Sequence, residues 1–255
     1  MSQHNKVVDR QFGAQASAYL TSSVHASGKE FTLLQTHLKA DANTEKRILD
    51  LGSGAGHVSF HVAPFAQEVV AYDLSESMLK VVSDSAREKG LSNITTEQGI
   101  AEALPFADAS FDYVISRYSA HHWQDIGLAL REARRVLKPG GTLVVVDVMA
   151  PGNPLLDTYL QTVEVLRDTS HVRDYSAAEW YQFIGEANFM VTASHRQPLR
   201  LEFESWIARM RTPDHYRDAI LALQRDMGQE VRDYFQIDVA GSFTTDVLMI
   251  WATKY

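Results

Sequence analysis

The chain predicts an α/β fold around a mostly parallel sheet, and three observations carry that prediction. Short apolar runs alternate with helical patterns from residue 47 to residue 150, as strand–helix–strand units require. One of those runs, Arg47-Ile48-Leu49-Asp50-Leu51, passes straight into glycines at alternate positions, Gly52, Gly54 and Gly56, and then into a helix start at His57. Acids close the first two strands, Asp50 and Asp73, and the carboxyl ends of strands are where open α/β sheets bind ligands.

Composition narrows the class. With 255 residues, 45% hydrophobic and 22% charged, the chain is one large domain, or a domain with a cap, and can bury a substantial core. The net charge of −8, with no basic stripe, argues against duplex nucleic acid as a partner and suits a small molecule. There is no cysteine, which excludes disulfides, thiolate metal sites and cysteine nucleophiles. The polar start from Met1 to Arg10 has no apolar core of a secretory leader. The longest strongly apolar run, near Leu143–Val148, is too short to span a bilayer. The expectation is a cytoplasmic protein without a membrane span, its oligomeric state open.

The glycine run comes first. Ile48, Leu49 and Leu51 suit a strand covered on both faces. The glycines let the chain turn sharply and let a ligand approach the backbone, and the next helix offers its free N–H groups and positive dipole end. A dinucleotide fingerprint reads G-x-G-x-x-G. Here the spacing is G-x-G-x-G with Asp50 two residues before it, and that acid would repel a pyrophosphate but suit an ammonium. The run resembles the first motif of class I S-adenosylmethionine (SAM)-dependent methyltransferases. The resemblance implies that Gly52, Ser53, Gly54 and Gly56 pass under the methionine part of SAM, with Asp50 near its amino group.

Before this strand, residues 28–39 space apolar groups at helical intervals, and Asp41-Ala42-Asn43-Thr44 ends the helix. Phe12 and Tyr19 in the first twenty residues read either as aromatic pins or as a segment folded over the ligand. Many small-molecule methyltransferases carry a similar F-x(6)-Y element, which implies a place for Tyr19 at the SAM pocket. Pro64 ends the glycine helix, and Glu68–Leu74 reads as the second strand. Asp73 at its end lies 21 residues beyond Gly52, where an acid can accept ribose hydroxyls. Ser75 is the expected cap of a helix that runs through Lys89, with Gly90 after it. The Asp73-Leu74-Ser75-x-x-Met78-Leu79 arrangement resembles the family's second motif and implies that Asp73, Leu74 and Met78 contact SAM.

A short third strand spans about 94–98. Ala101-Glu102 after it resembles the acid and small-residue pair beside the adenine. The run from Leu104 to Asp112, Leu-Pro-Phe-x-Asp-x-Ser-Phe-Asp, resembles the branch of ubiquinone/menaquinone C-methyltransferases. Phe111–Ser116 is the fourth strand, and Arg117-Tyr118-Ser119-Ala120-His121-His122-Trp123 leaves its carboxyl end toward the reactive centre. Arg117 is assigned to the cofactor. Ile126–Leu137 is a helix with arginines late in it. Leu137-Lys138-Pro139-Gly140-Gly141 turns into strand five, Thr142–Val148, and matches the family closely. Phe189–Arg196 and Thr245–Lys254 read as later strands. Helical patterns at about 154–169, 176–187 and 204–235 exceed what such a core needs. They are read as a cap, which divides the chain into a SAM-binding part at 1–150, a helical insertion at 151–188 and the remaining strands with a second insertion at 189–255. The resemblance implies a Rossmann-like seven-stranded sheet, mostly parallel, with the last strand antiparallel.

Methyl transfer to carbon or oxygen of a small molecule follows, with S-adenosyl-L-methionine as cofactor. Positioning and water exclusion are the enzyme's main work in such a displacement, worth up to about 7–11 kcal/mol. No metal is expected, since no H-E-x-x-H or paired ligand spacing occurs and the side chains of His121 and His122 should diverge. His121 and His122 are the candidates for a general base. For the acceptor, Asp168–Tyr175 supplies His171, Arg173 and Tyr175, just before a capping box at Ser176 and Glu179. Arg209 is a further candidate on the 204–235 stretch. Two alternatives stand beside this reading. One is a SAM-binding sensor or carrier without transfer. The other, argued against by the glycine spacing and Asp50, is an NAD-dependent dehydrogenase.

Overall fold

A computed structural model describes residues 2–13, 28–43 and 45–255. The elements in order are α1 (Gln3–Gly13), α2 (Lys29–Ala40), β1 (Arg47–Leu51), α3 (His57–Val62), β2 (Glu68–Asp73), α4 (Glu76–Glu88), β3 (Ile94–Gln98) and β4 (Phe111–Arg117). They continue with α5 (Ile126–Val136), β5 (Leu137–Ala150), α6 (Pro154–Arg167), β6 (Tyr175–Ser176), α7 (Ala177–Glu186) and β7 (Phe189–Leu201). Then come α8 (Phe203–Met210), α9 (Asp214–Asp226), α10 (Gln229–Phe235) and β8 (Phe243–Lys254).

The main path of the sheet is β3-β2-β1-β4-β5-β8-β7, and the two-residue β6 pairs with β5 off that path. β1 to β5 are parallel neighbours. β8 is antiparallel to both β5 and β7, so the expected mostly parallel sheet with an antiparallel last strand is what forms. The strand order reverses at β1, with β2 added on one side and β4 on the other, all parallel, which opens a crevice above the carboxyl end of β1.

Side-chain alternation sorts the strand residues onto two faces. Ile48, Val69, Tyr113, Val144 and Val146 pack with Phe31, Leu34 and Leu38 of α2 and Val58 and Val62 of α3. Leu49, Val70, Val114 and Val145 pack with Ala129, Leu130 and Ala133 of α5 and Trp180 and Ile184 of α7. Both faces of the central strands β1, β2, β4 and β5 are buried under helices, while the edge strand β3 is mostly exposed. A third cluster sits beyond the ends of β5, β7 and β8 and joins α6, α8, α9 and α10 through Leu160, Trp206, Ile220, Phe235 and Phe243.

The segments expected to form a cap therefore separate. α6, α8, α9 and α10 share their own core, whereas α7, opened by the Ser176–Glu179 capping box, lies on the sheet. The 204–235 stretch is three helices, broken at Arg211, which takes a positive φ of 49°, and at Met227-Gly228. β5 starts at Leu137 rather than Thr142: Leu137 pairs with Phe111, the Pro139-Gly140 turn interrupts the ladder, and pairing resumes at Tyr113 and Thr142. β7 runs past Arg196 to Leu201 through Pro198, which an outer strand tolerates because no further ladder needs its N–H. α1 is a helix within the 1–150 part, for which N-terminal helices ahead of the SAM-binding core were expected. No helix among the described residues is long and apolar enough to cross a membrane.

Candidate active site

The turn after β1 is held by backbone. Gly52 and Ser53 donate N–H groups to the Tyr72 carbonyl at 2.8 and 3.0 Å, and Gly56 N–H reaches the Ser53 carbonyl at 2.9 Å. Gly54 N–H donates to Asp73 Oδ2 at 2.8 Å, so the acid ending β2 fixes the turn ending β1. Gly54 has a φ of +50° and a Cβ there would meet nothing within 4 Å, so the turn offers open space at that point. Gly52 has a φ of +73°, and a Cβ there would collide with Ser119.

Around this turn lies a cleft of about 1050 Å³. Asp50, Gly52, Ser53 and Gly54 form its floor, and Asp73, Leu74 and Met78 one wall. Ala101, Glu102 and Arg117 also line it. Gly56 does not; it packs against Phe60 and Val82. Ser53 Oγ is buried without a hydrogen-bond partner. Asp73 accepts Ser75 N–H through Oδ1 at 2.9 Å. Ser75 occupies the N-cap of α4, but its hydroxyl makes no cap bond and instead meets Ser77 Oγ at 2.9 Å. Burial raises the Asp73 carboxyl above the usual carboxylate range against those N–H donors.

Asp50 is 1% exposed. Its Oδ2 accepts Ser59 N–H at 2.9 Å and Ser59 Oγ–H at 2.6 Å. Burial nevertheless lifts this carboxyl to about 7, with the nearby Asp73 charge adding to the rise. Glu102 Oε1 accepts the N–H groups of Gln124 and Asp125 at 2.9 and 3.3 Å, which ties it to the entry of α5. Arg117 forms a buried ion pair with Glu30 of α2 at 2.7 Å, and its guanidinium lies 4.5 Å from the Phe31 ring centroid.

A second cavity of about 610 Å³ adjoins the first, and Phe12, Tyr118 and His122 line both. Its apolar side is Val148, Leu199, Leu201, Trp206 and Met210. Its polar side carries His121, Glu164, Arg167, Asp168, Asp174 and Arg209. His122 Nδ1 stands 3.0 Å from the Ser170 carbonyl. A carbonyl only accepts, so Nδ1 bears the hydrogen and Nε2 keeps its lone pair, 3.9 Å from Asp168 Oδ2. Burial, reinforced by the adjacent His121, lowers the His122 imidazole to about 4. His121 Nδ1 meets Asp147 Oδ1 at 2.6 Å. Burial alone would lower His121, but the Asp147 carboxylate outweighs it and lifts the imidazole to about 9.

The residues expected to meet the acceptor scatter. Arg209 lines the second cavity. Buried His171 lies behind it, bonded to Gln161 Oε1 at 3.0 Å. Arg173 pairs with Asp157 and Glu179 at 3.0 and 3.1 Å and lines neither cavity. Tyr175 is packed in the sheet core against Trp180 and Phe183. For these last two, the polar cluster in the sequence reflects connections between elements. Tyr19 lies outside the described residues. Sequence reasoning missed Asn5 and Val8 of α1 at the first cleft, and Glu164 of α6 at the second. None of the three belongs to a local motif, and only the packing of α1 and α6 brings them in.

Fold and site define an enzyme of class I methyltransferase architecture. A family model described as "Methyltransferase domain" matches residues 49–145. The chain is 55% identical over 203 residues to the uncharacterized protein YafE of Escherichia coli (strain K12), covering 80% of this chain and 98% of that one. It is 37% identical over 226 residues to the uncharacterized methyltransferase YcgJ of Bacillus subtilis (strain 168), covering 89% of this chain and 88% of YcgJ. The crystal structure of YcgJ superposes with a TM-score of 0.84 at 35% identity, over 89% of this chain and 98% of that one. A ubiquinone/menaquinone biosynthesis C-methyltransferase, UbiE of Ectopseudomonas mendocina (strain ymp), is 33% identical over 200 residues, 73% of this chain and 75% of UbiE. The chain belongs to this methyltransferase family and is a methyltransferase. These relatives displace the dehydrogenase alternative.

Proposed function

We propose that the protein transfers a methyl group from S-adenosylmethionine to carbon or oxygen of a small molecule, with the donor in the first cleft and the acceptor in the second. The observation that carries this reading is the shared wall: Phe12, Tyr118 and His122 face both cavities, so a group bound in each would meet there. The first cleft suits the donor on its own residues. Ser53 Oγ is buried and lacks a partner, the space beside Gly54 is open, and the Asp73 carboxylate stands where ribose hydroxyls would add donors. Asp50 complements an ammonium. Ala101 and Met78 give apolar surface for a base, while Glu102 supports the wall by holding the α5 entry. Arg117, neutralised by Glu30, shapes the floor rather than binding a carboxylate directly.

When bound, S-adenosylmethionine supplies an electrophilic methyl on a sulfonium. The chain aligns the partners and excludes water, with α1 lying over the first cleft through Asn5, Val8 and Phe12. His122 Nε2 is the group placed to take a proton from a hydroxyl or acidic carbon, and His121 is turned toward Asp147 in the polar wall. Calorimetry with S-adenosylmethionine and S-adenosylhomocysteine tests the reading. Binding of both is expected, and absence of heat with either at millimolar concentration ends it. His122→Ala should cut turnover by about 100-fold or more, the usual range for a lost general base, read in an acceptor screen by mass spectrometry at saturating donor.

A further inference from the structure

The polar wall of the second cavity holds more carboxylate than its cations answer. Glu164 pairs with Arg167 at 3.2 Å. Asp168 accepts Ser170 N–H at 2.8 Å and Ser170 Oγ–H at 2.6 Å. Asp147 and Asp174 are different. Each is 2% exposed, and each has an Oδ2 that is buried with no hydrogen-bond partner. Asp147 uses only Oδ1, for His121 Nδ1 and for Val148 N–H at 2.9 Å. Two buried carboxyl oxygens with no hydrogen-bond partner leave acceptor capacity that a cation between them would fill.

We infer that His121, Asp147 and Asp174 form a site for one divalent metal ion, of the magnesium or manganese(II) kind, in the wall of the second cavity. One ligand atom from each of the three lies within 4.8 Å of the others. The residues come from the loop after β4, from β5 and from the turn before β6, so no local spacing in the sequence announces them. Their framework is fixed without their side chains. The His121 carbonyl accepts the N–H groups of Val172 and Arg173 at 2.8 and 3.2 Å. Gln161 of α6 grips the Asp174 backbone from both sides, accepting its N–H at 3.1 Å and donating to its carbonyl at 2.8 Å. That grip leaves the Asp174 carboxylate free to turn to an ion. Two carboxylates and one imidazole are a hard, oxygen-rich donor set, which favours magnesium and manganese over softer ions. His121 and Asp174 line the cavity, so coordination positions would remain open on that side to water or to an acceptor oxygen. The link to the acceptor rests on the reading of that cavity given above; binding of the ion does not.

The test uses the full chain, stripped with chelator and titrated with manganese(II) in the absence of any nucleoside. Electron paramagnetic resonance and calorimetry should show one manganese per chain, displaced by magnesium. Asp174→Asn and Asp147→Asn should each weaken binding by at least about tenfold, and His121→Gln serves the same purpose should a carboxylate variant fail to fold. No binding at millimolar manganese overturns the inference, and so does binding undiminished in all three variants. A wild type indifferent to metal, with Asp174→Asn raising the melting temperature, also overturns it and means that the two carboxylates share a proton. Calorimetry with S-adenosylmethionine, run separately, keeps the readings apart: failure there with manganese bound removes the donor reading and leaves this site standing.

Discussion

The two cavities are built by different means. The first is centred on backbone and on residues close in sequence, a glycine turn, an acid at the end of the next strand and the start of the helix after it, with α1 and the loops after β3 and β4 completing its lining. The second is made of side chains from α6, α8, the loop after β4 and the ends of β5 and β7. One consequence is that the first rests in part on backbone hydrogen bonds, such as Gly52 and Ser53 to the Tyr72 carbonyl, beside the one that Gly54 makes to the Asp73 carboxylate. The second depends on how the cap helices pack. A fold can thus hold one cavity steady while the other varies with its helical insertions.

The largest expected effect falls on the cap. Trp206 is 1% exposed, lies 5.0 Å from the Phe243 ring and carries the Arg167 guanidinium over its own ring at 5.0 Å. Trp206→Ala should cost about 3–5 kcal/mol of stability in denaturant titration, as other large-to-small core changes do. It should raise the acceptor KM and leave donor affinity alone. A parallel loss of donor affinity would break the separation of the two cavities.

Asp73→Ala strikes the other side. It removes the acceptor for Gly54 N–H and Ser75 N–H together with the carboxylate proposed to meet the ribose. Bonds to a charged group are worth roughly 1.5–3 kcal/mol, so donor affinity should fall about 100-fold by calorimetry, with the acceptor cavity unaffected. An unchanged dissociation constant would place the ribose elsewhere.

These two positions also show what a sequence can carry. The place of Asp73 beside the glycine turn was legible because it ends a strand a set distance beyond that turn. The strands themselves were legible because a buried parallel strand needs a continuous apolar run, and Pro64, Gly90 and Gly140 punctuate the intervals. Trp206 was visible only as an apolar position on a helix, and its contact with the second cavity depends on how α8 meets α6. Where α1 would dock was not legible, because several of its contacts are single polar bonds to distant residues. Gln11 donates to the Met210 carbonyl at 2.9 Å, and Gln124 donates to Asn5 Oδ1 at 2.7 Å.

Asp50 sharpens the comparison through pH. Its carboxyl is lifted from 3.8 to about 7 in the folded chain. An acid whose pKa is raised on folding keeps its proton while the unfolded chain loses it. Stability should therefore fall as pH rises from about 4 to about 7, by up to roughly 4 kcal/mol, and level off above. Asp50→Asn keeps an oxygen for Ser59 and should flatten that slope. An ammonium bound beside Asp50 favours the ionised form, so donor binding should release a proton below pH 7 and weaken as pH falls. Calorimetry in buffers of different ionisation enthalpy measures that proton; none released at pH 6 would move the ammonium away from Asp50.

The smallest expected effect separates the two arginines once assigned together to the acceptor. Arg173 is held by Asp157 and Glu179 at the rim of α6 and α7, about one-third exposed, and lines neither cavity. Partly exposed ion pairs of this kind contribute within about 1 kcal/mol. Arg173→Ala should shift stability by no more than that and leave the acceptor KM unchanged. Arg209 lines the second cavity, so Arg209→Ala should change the KM of any acceptor with an anionic or carbonyl group, with no effect on donor affinity. Steady-state kinetics of the pair decides whether the acceptor enters between α6 and α8. A KM shift in Arg173→Ala with none in Arg209→Ala would put its path on the other side of α6.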